Sequence, residues 1–152
     1  MRSSIILLSL MLFVACGGGN DAPPAAEAPP EEAAPAALTV ADFAGSWETM
    51  ATLEGAPDPV PSTLSGSADG SDWTMMLEGR DPIGVTASMS GDSLILVTES
   101  YESVLRDDVT VSVRTAGVMQ DGRLVGKMVA TYQTPDGEEV VSGTIEGTRG
   151  GM

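Results

Sequence analysis

Chemistry has few places to reside in this chain. Its 152 residues hold one cysteine, Cys16, and no histidine. A Ser-His-Asp or Cys-His nucleophile system cannot be assembled, and neither can the usual zinc ligand sets. No phosphate-cradling Gly-x-x-x-x-Gly-Lys loop is present, and no dinucleotide glycine pattern. Acids are plentiful, but no spacing separates a catalytic pair from solvated surface. The chain therefore reads as a non-enzyme without cofactor or metal. Asp69-Gly70-Ser71-Asp72 and Asp107-Asp108 offer oxygen ligands, yet neither has the spacing of a calcium loop, and hairpin-turn chemistry explains them. Met50, Met75, Met76, Met89, Met119 and Met128 suit either core filling or an irregular apolar ligand. Arg80-Asp81, Tyr101-Glu102 and Arg106 are the remaining polar group. Arginines are scarce, so two of them near tyrosine and acid suggest an ion network or a ligand clamp.

Charge narrows the partners. Seven basic residues face 22 acidic ones, a formal net charge of −15. This field repels nucleic acid and anionic headgroups and attracts basic proteins and cationic peptides. Its plainest consequence is solubility.

These residues are carried by three segments. Residues 1–15 form a leader with one charge, Arg2, and an apolar run from Ile5 to Ala15 broken only by Ser9. Eleven residues reach only ~16 Å as a helix, short of the ~30 Å hydrocarbon core, so the run fits a signal segment rather than a membrane span. Residues 16–38 combine Gly17-Gly18-Gly19 with five prolines, alanines and four acids, and only Leu38 is large and apolar. Such a segment cannot bury enough surface to fold and predicts a disordered tether, ~70 Å long when extended. Residues 39–152 are one domain by length.

Within that domain, Thr39-Val40-Ala41-Asp42 has a helix-start pattern, with Leu38 and Phe43 spaced as a hydrophobic staple and Gly45 as the stop. Strands are expected over 47–53, 63–68, 73–78, 83–89, 94–101, 109–114, 124–132 and 140–148, on period-2 alternation between turn signals such as Asp121-Gly122. Pro61 restricts the second strand to an edge or a strand start. About eight strands with short turns leave no room for crossover helices. The fold class is all-β, an antiparallel up-and-down meander, closed into a barrel or open as a sandwich. Gly126, Ala130 and Gly143 are small interior positions expected to make space for neighbours or a ligand.

Two resemblances add to this reading. Val14-Ala15-Cys16 resembles the lipobox of bacterial lipoproteins, although the favoured leucine three before the cysteine is Phe13 here. The resemblance implies a diacylglycerol thioether on Cys16, cleavage before it and acylation (palmitate-type) of the new amine. Attachment to a membrane follows from the ~0.8 kcal/mol contributed by each buried methylene. Gly17, rather than an aspartate, implies the outer membrane in a diderm host. Asp42-Phe43-Ala44-Gly45-Ser46-Trp47 resembles the entry motif of lipocalins and the wider calycin superfamily. That implies a barrel closed at one end by Gly45 and Trp47, with Arg149 from the last strand packed on the indole. The domain is shorter than a usual lipocalin and closer in size to avidin-like barrels, without their ligand-contacting residues. The expected function is a lipid-anchored envelope protein that holds a small apolar or amphipathic ligand. The alternatives are an acidic interaction or inhibitor module with a basic protein partner, and a structural envelope lipoprotein without a ligand.

Overall fold

A computed structural model describes residues 37–151. The leader, Cys16 and the tether up to residue 36 lie outside the described residues. The described chain opens on one 3-10 turn, Val40–Phe43, and continues as nine strands. These are β1 (Gly45–Leu53), β2 (Val60–Gly66), β3 (Trp73–Met76), β4 (Ile83–Ser90), β5 (Ser93–Thr98), β6 (Tyr101–Glu102), β7 (Thr110–Gln120), β8 (Arg123–Thr134) and β9 (Gly137–Arg149). Every pairing is antiparallel. Sequential neighbours pair from β1 to β5 and from β7 to β9, while β9 joins β1 and β5 joins β7. Those last two pairings close an eight-stranded barrel, with β6 as a short continuation of β5. The barrel needs no exposed sheet edge along most of its wall. Each strand's partners lie between residues 45 and 149, so the barrel is a self-contained hydrogen-bonded unit.

Alternation places the core. Along β1, Trp47, Thr49, Ala51 and Leu53 are buried and the residues between them are exposed. The same period places Val111, Val113 and Thr115 of β7, and Leu124, Met128, Ala130 and Tyr132 of β8, inside. Two clusters result. Phe43, Trp47, Leu64, Trp73, Leu94 and Leu124 fill the end at which the chain enters. Ala51, Leu53, Val113, Met128, Tyr132 and Ile145 line the other end. Asp121 (φ 51°) and Gly122 (φ 77°) form the two-residue β7–β8 turn, and both adopt the positive φ that such a turn demands.

Three elements differ from the sequence expectation for physical reasons. The strand expected over 94–101 breaks after Thr98. Between the pairs Val97–Arg114 and Tyr101–Val111, β5–β6 carries one residue more than β7, which makes a bulge at Glu99–Ser100. There the Val113 N–H donates to the Thr98 hydroxyl (2.9 Å), and the Glu99 N–H turns to the Gly84 carbonyl of β4 (2.9 Å). The strand expected to end at Arg114 instead runs to Gln120, because Gly117 lies opposite Gly126 and lets β7 and β8 approach closely. Gly126 and Gly143 do not create interior space. An added Cβ would meet the Ala116 carbonyl at 2.5 Å or the Thr52 carbonyl at 2.5 Å, so both glycines are taken up by close strand contact. At the helix-start pattern, Phe43 is fully buried while Leu38 stays 36% exposed. Pro61 is the second residue of β2, beyond the last pairing with β3 at Thr63–Met76.

Candidate functional site

The ends of the barrel differ in chemistry. At the closed end, the β1–β9 register sets Trp47 opposite Arg149, and the guanidinium carbon stands 4.5 Å from the indole centroid. The same guanidinium donates to the Ala44 and Asp42 carbonyls, each at 2.8 Å. The Trp47 Nε1–H donates to the Phe43 carbonyl at 2.8 Å. Gly45 (φ +116°) turns the chain from the 3-10 turn into β1, and a Cβ there would press on Arg149 Nη1 at 3.2 Å. The Asp42 carboxylate accepts the Thr39 N–H (2.7 Å) and hydroxyl (2.9 Å), and the backbone hydrogen bond is the main cause of its lowered pKa. Gly45, Trp47 and Arg149 thus form one structural clasp that seals this end.

The opposite end is hollow. A cavity of about 60 Å³ runs into the barrel among Ala51, Leu53, Val113, Met128, Ala130 and Ile145, with Tyr101, Val104 and Leu105 at its mouth. Its few polar walls are hydroxyls, and Thr49 bonds to the Ser62 carbonyl (2.9 Å) and Thr98 to Val113. Val104 and Leu105 are 42% and 39% exposed, large apolar side chains on a largely polar connection. Next to the mouth lies an outer hollow of about 310 Å³ between the β1–β2 loop and Arg106, Tyr132 and Glu139. It shares Leu53, Leu105 and Tyr132 with the inner cavity. Pockets that bury drug-sized molecules measure roughly 300–1,000 Å³. The inner cavity falls well below that range, and the outer hollow lies at its lower edge.

Two arginines hold the connection between β6 and β7 over this mouth. Arg80, on the β3–β4 turn, donates to the Glu102 carbonyl (3.0 Å) and the Ser103 carbonyl (3.4 Å) and faces the Glu102 carboxylate at 3.7 Å. Arg106 makes a bidentate pair with Glu139 of β9 (2.6 and 2.7 Å), and its guanidinium carbon lies 4.2 Å from the Tyr132 centroid. That hydrogen-bonded pair raises the pKa of Arg106 and lowers that of Glu139. Between them the Ser103 hydroxyl accepts the Leu105 N–H (3.0 Å) and the Arg106 N–H (3.1 Å), which fixes the start of the loop. Burial, reinforced by Tyr132, pushes the Tyr101 phenol up to about 12.

The polar group singled out from sequence is therefore divided. Arg80 and Glu102 come together, and Tyr101 lines the cavity. Arg106 turns to Glu139 and Tyr132 instead. Asp81 sits in a surface hollow beside Arg80 and makes no ion pair among the described residues. Glu139, Ser103 and the Val104-Leu105 pair escaped the sequence reading. The signal that points to them is a pair of large apolar residues in a connection bounded by a serine and an arginine. Asp69 is engaged by its own turn: it accepts the Ser67 hydroxyl (2.6 Å) and the Ser71 N–H (3.0 Å) and hydroxyl (2.8 Å). These bonds, the Ser67 hydroxyl first, lower its pKa to about 2. No group of three or more acidic or thiol side chains among the described residues is arranged to hold a metal ion. No protein-family model matches the chain, and a search of curated proteins finds no match either.

Proposed function

We propose that this protein is a lipid-anchored, lipocalin-like binding protein of the cell envelope, and that its barrel takes the tail of a slender apolar or amphipathic molecule. The observation that carries the ligand reading is the pairing of a narrow apolar cavity with a roomier polar hollow at its mouth. Met128, Ala130 and Ile145 offer a tail only apolar contact, while Arg106, Glu139 and Glu54 stand where a head would emerge. Carboxylates dominate the surroundings, so a neutral or cationic head fits better than an anionic one. The lipobox resemblance at Cys16 supports the anchor.

1-Butanol is a suitable neutral probe, because a cavity of about 60 Å³ has room for only a few methylenes. Methionine-methyl NMR is expected to show Met75 and Met128, which line the cavity, shifting on titration while Met50 and Met76 on the outer wall hold still. Ala130→Leu fills the cavity and is expected to abolish the response with the fold retained; a variant that binds 1-butanol as well as the parent refutes the site. The anchor is tested separately in the native host with an alkyne-tagged fatty acid. The parent is expected to take the label and Cys16→Ser to lose it, and label retained on Cys16→Ser excludes this residue as the attachment point.

A further inference from the structure

We propose that the outer wall of the barrel formed by β9, β1, β2 and β3 docks a basic amphipathic segment of another protein. The strand register lays this surface out as a lattice. One row across the strands reads Thr148, Glu48, Thr63, Met76, and the next reads Glu146, Met50, Pro61. Glu78 follows where β3 ends, on the rim of the same groove. The groove measures about 630 Å³. Outward positions of a solvated antiparallel sheet are ordinarily polar. Here Met50 and Met76 are 47% and 49% exposed, with Pro61 adjoining Met50.

The two methionines lie on one diagonal of the lattice and Glu48 and Glu78 on the other. With strands ~4.8 Å apart and alternate residues ~7 Å apart, each diagonal spans roughly 12 Å. Unbranched thioether side chains adapt to an incoming apolar face. The charge pattern selects the partner. Arg123 is paired with Glu146 at 2.8 Å, and Arg80 is occupied by the β6–β7 connection. Glu48 and Glu78 make no ion pair among the described residues. A second copy of this chain, at a net charge of −15, and an anionic membrane are both repelled from such a face. A segment that presents two apolar side chains roughly 12 Å apart across its contact face, with two basic side chains on the crossing diagonal, matches both. The strands of this wall are paired with one another, so side chains rather than strand addition make the contact.

The test uses the self-contained barrel, residues 37–152, labelled at the methionine methyls, and a synthetic amphipathic peptide of leucine and lysine. The Met50 and Met76 signals are expected to shift on titration and those of Met75 and Met128 to remain. Glu48→Gln combined with Glu78→Gln is expected to weaken binding about fivefold to tenfold and to flatten its salt dependence. Asp58→Asn with Glu138→Gln removes the same charge elsewhere and is expected to change affinity less than twofold. Equal losses in the two double variants reduce the effect to diffuse attraction and overturn the proposal. So do unmoved Met50 and Met76 signals. Shifts of those signals with protein concentration alone assign the face to a second copy and overturn it too.

Discussion

At the scale of single residues, Arg149 has the widest reach. It lies 102 positions from Trp47 in sequence and directly opposite it in the barrel. Its guanidinium covers the indole and ties down two carbonyls of the entry turn. Cation–π contact contributes about 0.5–2 kcal/mol depending on burial, and the two hydrogen bonds are partly replaceable by water at this exposed end. Arg149→Met is therefore expected to lower stability by about 1–2 kcal/mol, read as a lower denaturant midpoint with unchanged slope. Arg149→Lys keeps the charge but loses the planar fork, and an intermediate midpoint is expected. If Arg149→Met unfolds at the parent midpoint, the clasp contributes nothing. Gly66 illustrates a different dependence. A Cβ there would overlap the Trp73 indole, so this glycine is fixed by a neighbour rather than by a turn.

At the scale of elements, what the sequence discloses depends on whether a signal is local. Ile83 and Val85, or Val111 and Val113, alternate with smaller or polar residues, and the alternation alone identifies their strands and inward faces. Asp121-Gly122 announces its turn because few other pairs tolerate two successive positive φ values. The closure of the barrel has no such marker. It rests on Leu94–Val97 meeting Arg114–Gly117, and nothing within either strand names the other. The bulge at Glu99–Ser100 is hidden for a related reason: the pattern from Leu94 to Tyr101 is continuous, and only β7 counts one residue fewer. Site residues follow the same rule. Gly45 and Trp47 belong to a short motif and are visible, whereas Arg106 and Glu139 are 33 residues apart and meet only because β8 and β9 form a long hairpin. The size of the cavity is least legible, since Gly126 and Gly143 look like interior space but are consumed by backbone contact.

At the scale of the whole molecule, proton linkage binds both ends of the barrel to stability. Asp42, Asp69 and Glu139 have folded pKa values below their ordinary ones, so their contribution is present above about pH 4 and is lost as pH falls. The phenols act in the opposite sense. Burial raises Tyr101 to about 12 and also raises Tyr132, against about 10 in an unfolded chain. A folded state that holds these protons more tightly keeps their full contribution below about pH 10 and loses it as pH rises toward 12. Each phenolate also adds negative charge to a chain already at −15, which strengthens self-repulsion. Alkaline unfolding is thus expected between about pH 10 and 12, with tyrosinate absorbance and the loss of far-UV circular dichroism rising together. Tyr101→Phe keeps the apolar wall of the cavity and removes the proton that must be lost, so its alkaline midpoint is expected to move upward. Added salt is expected to move it the same way by screening the carboxylates. Tyrosinate forming near pH 10 in a fully folded barrel shows that solvent already reaches Tyr101, and that the mouth between Arg80 and Arg106 stands open.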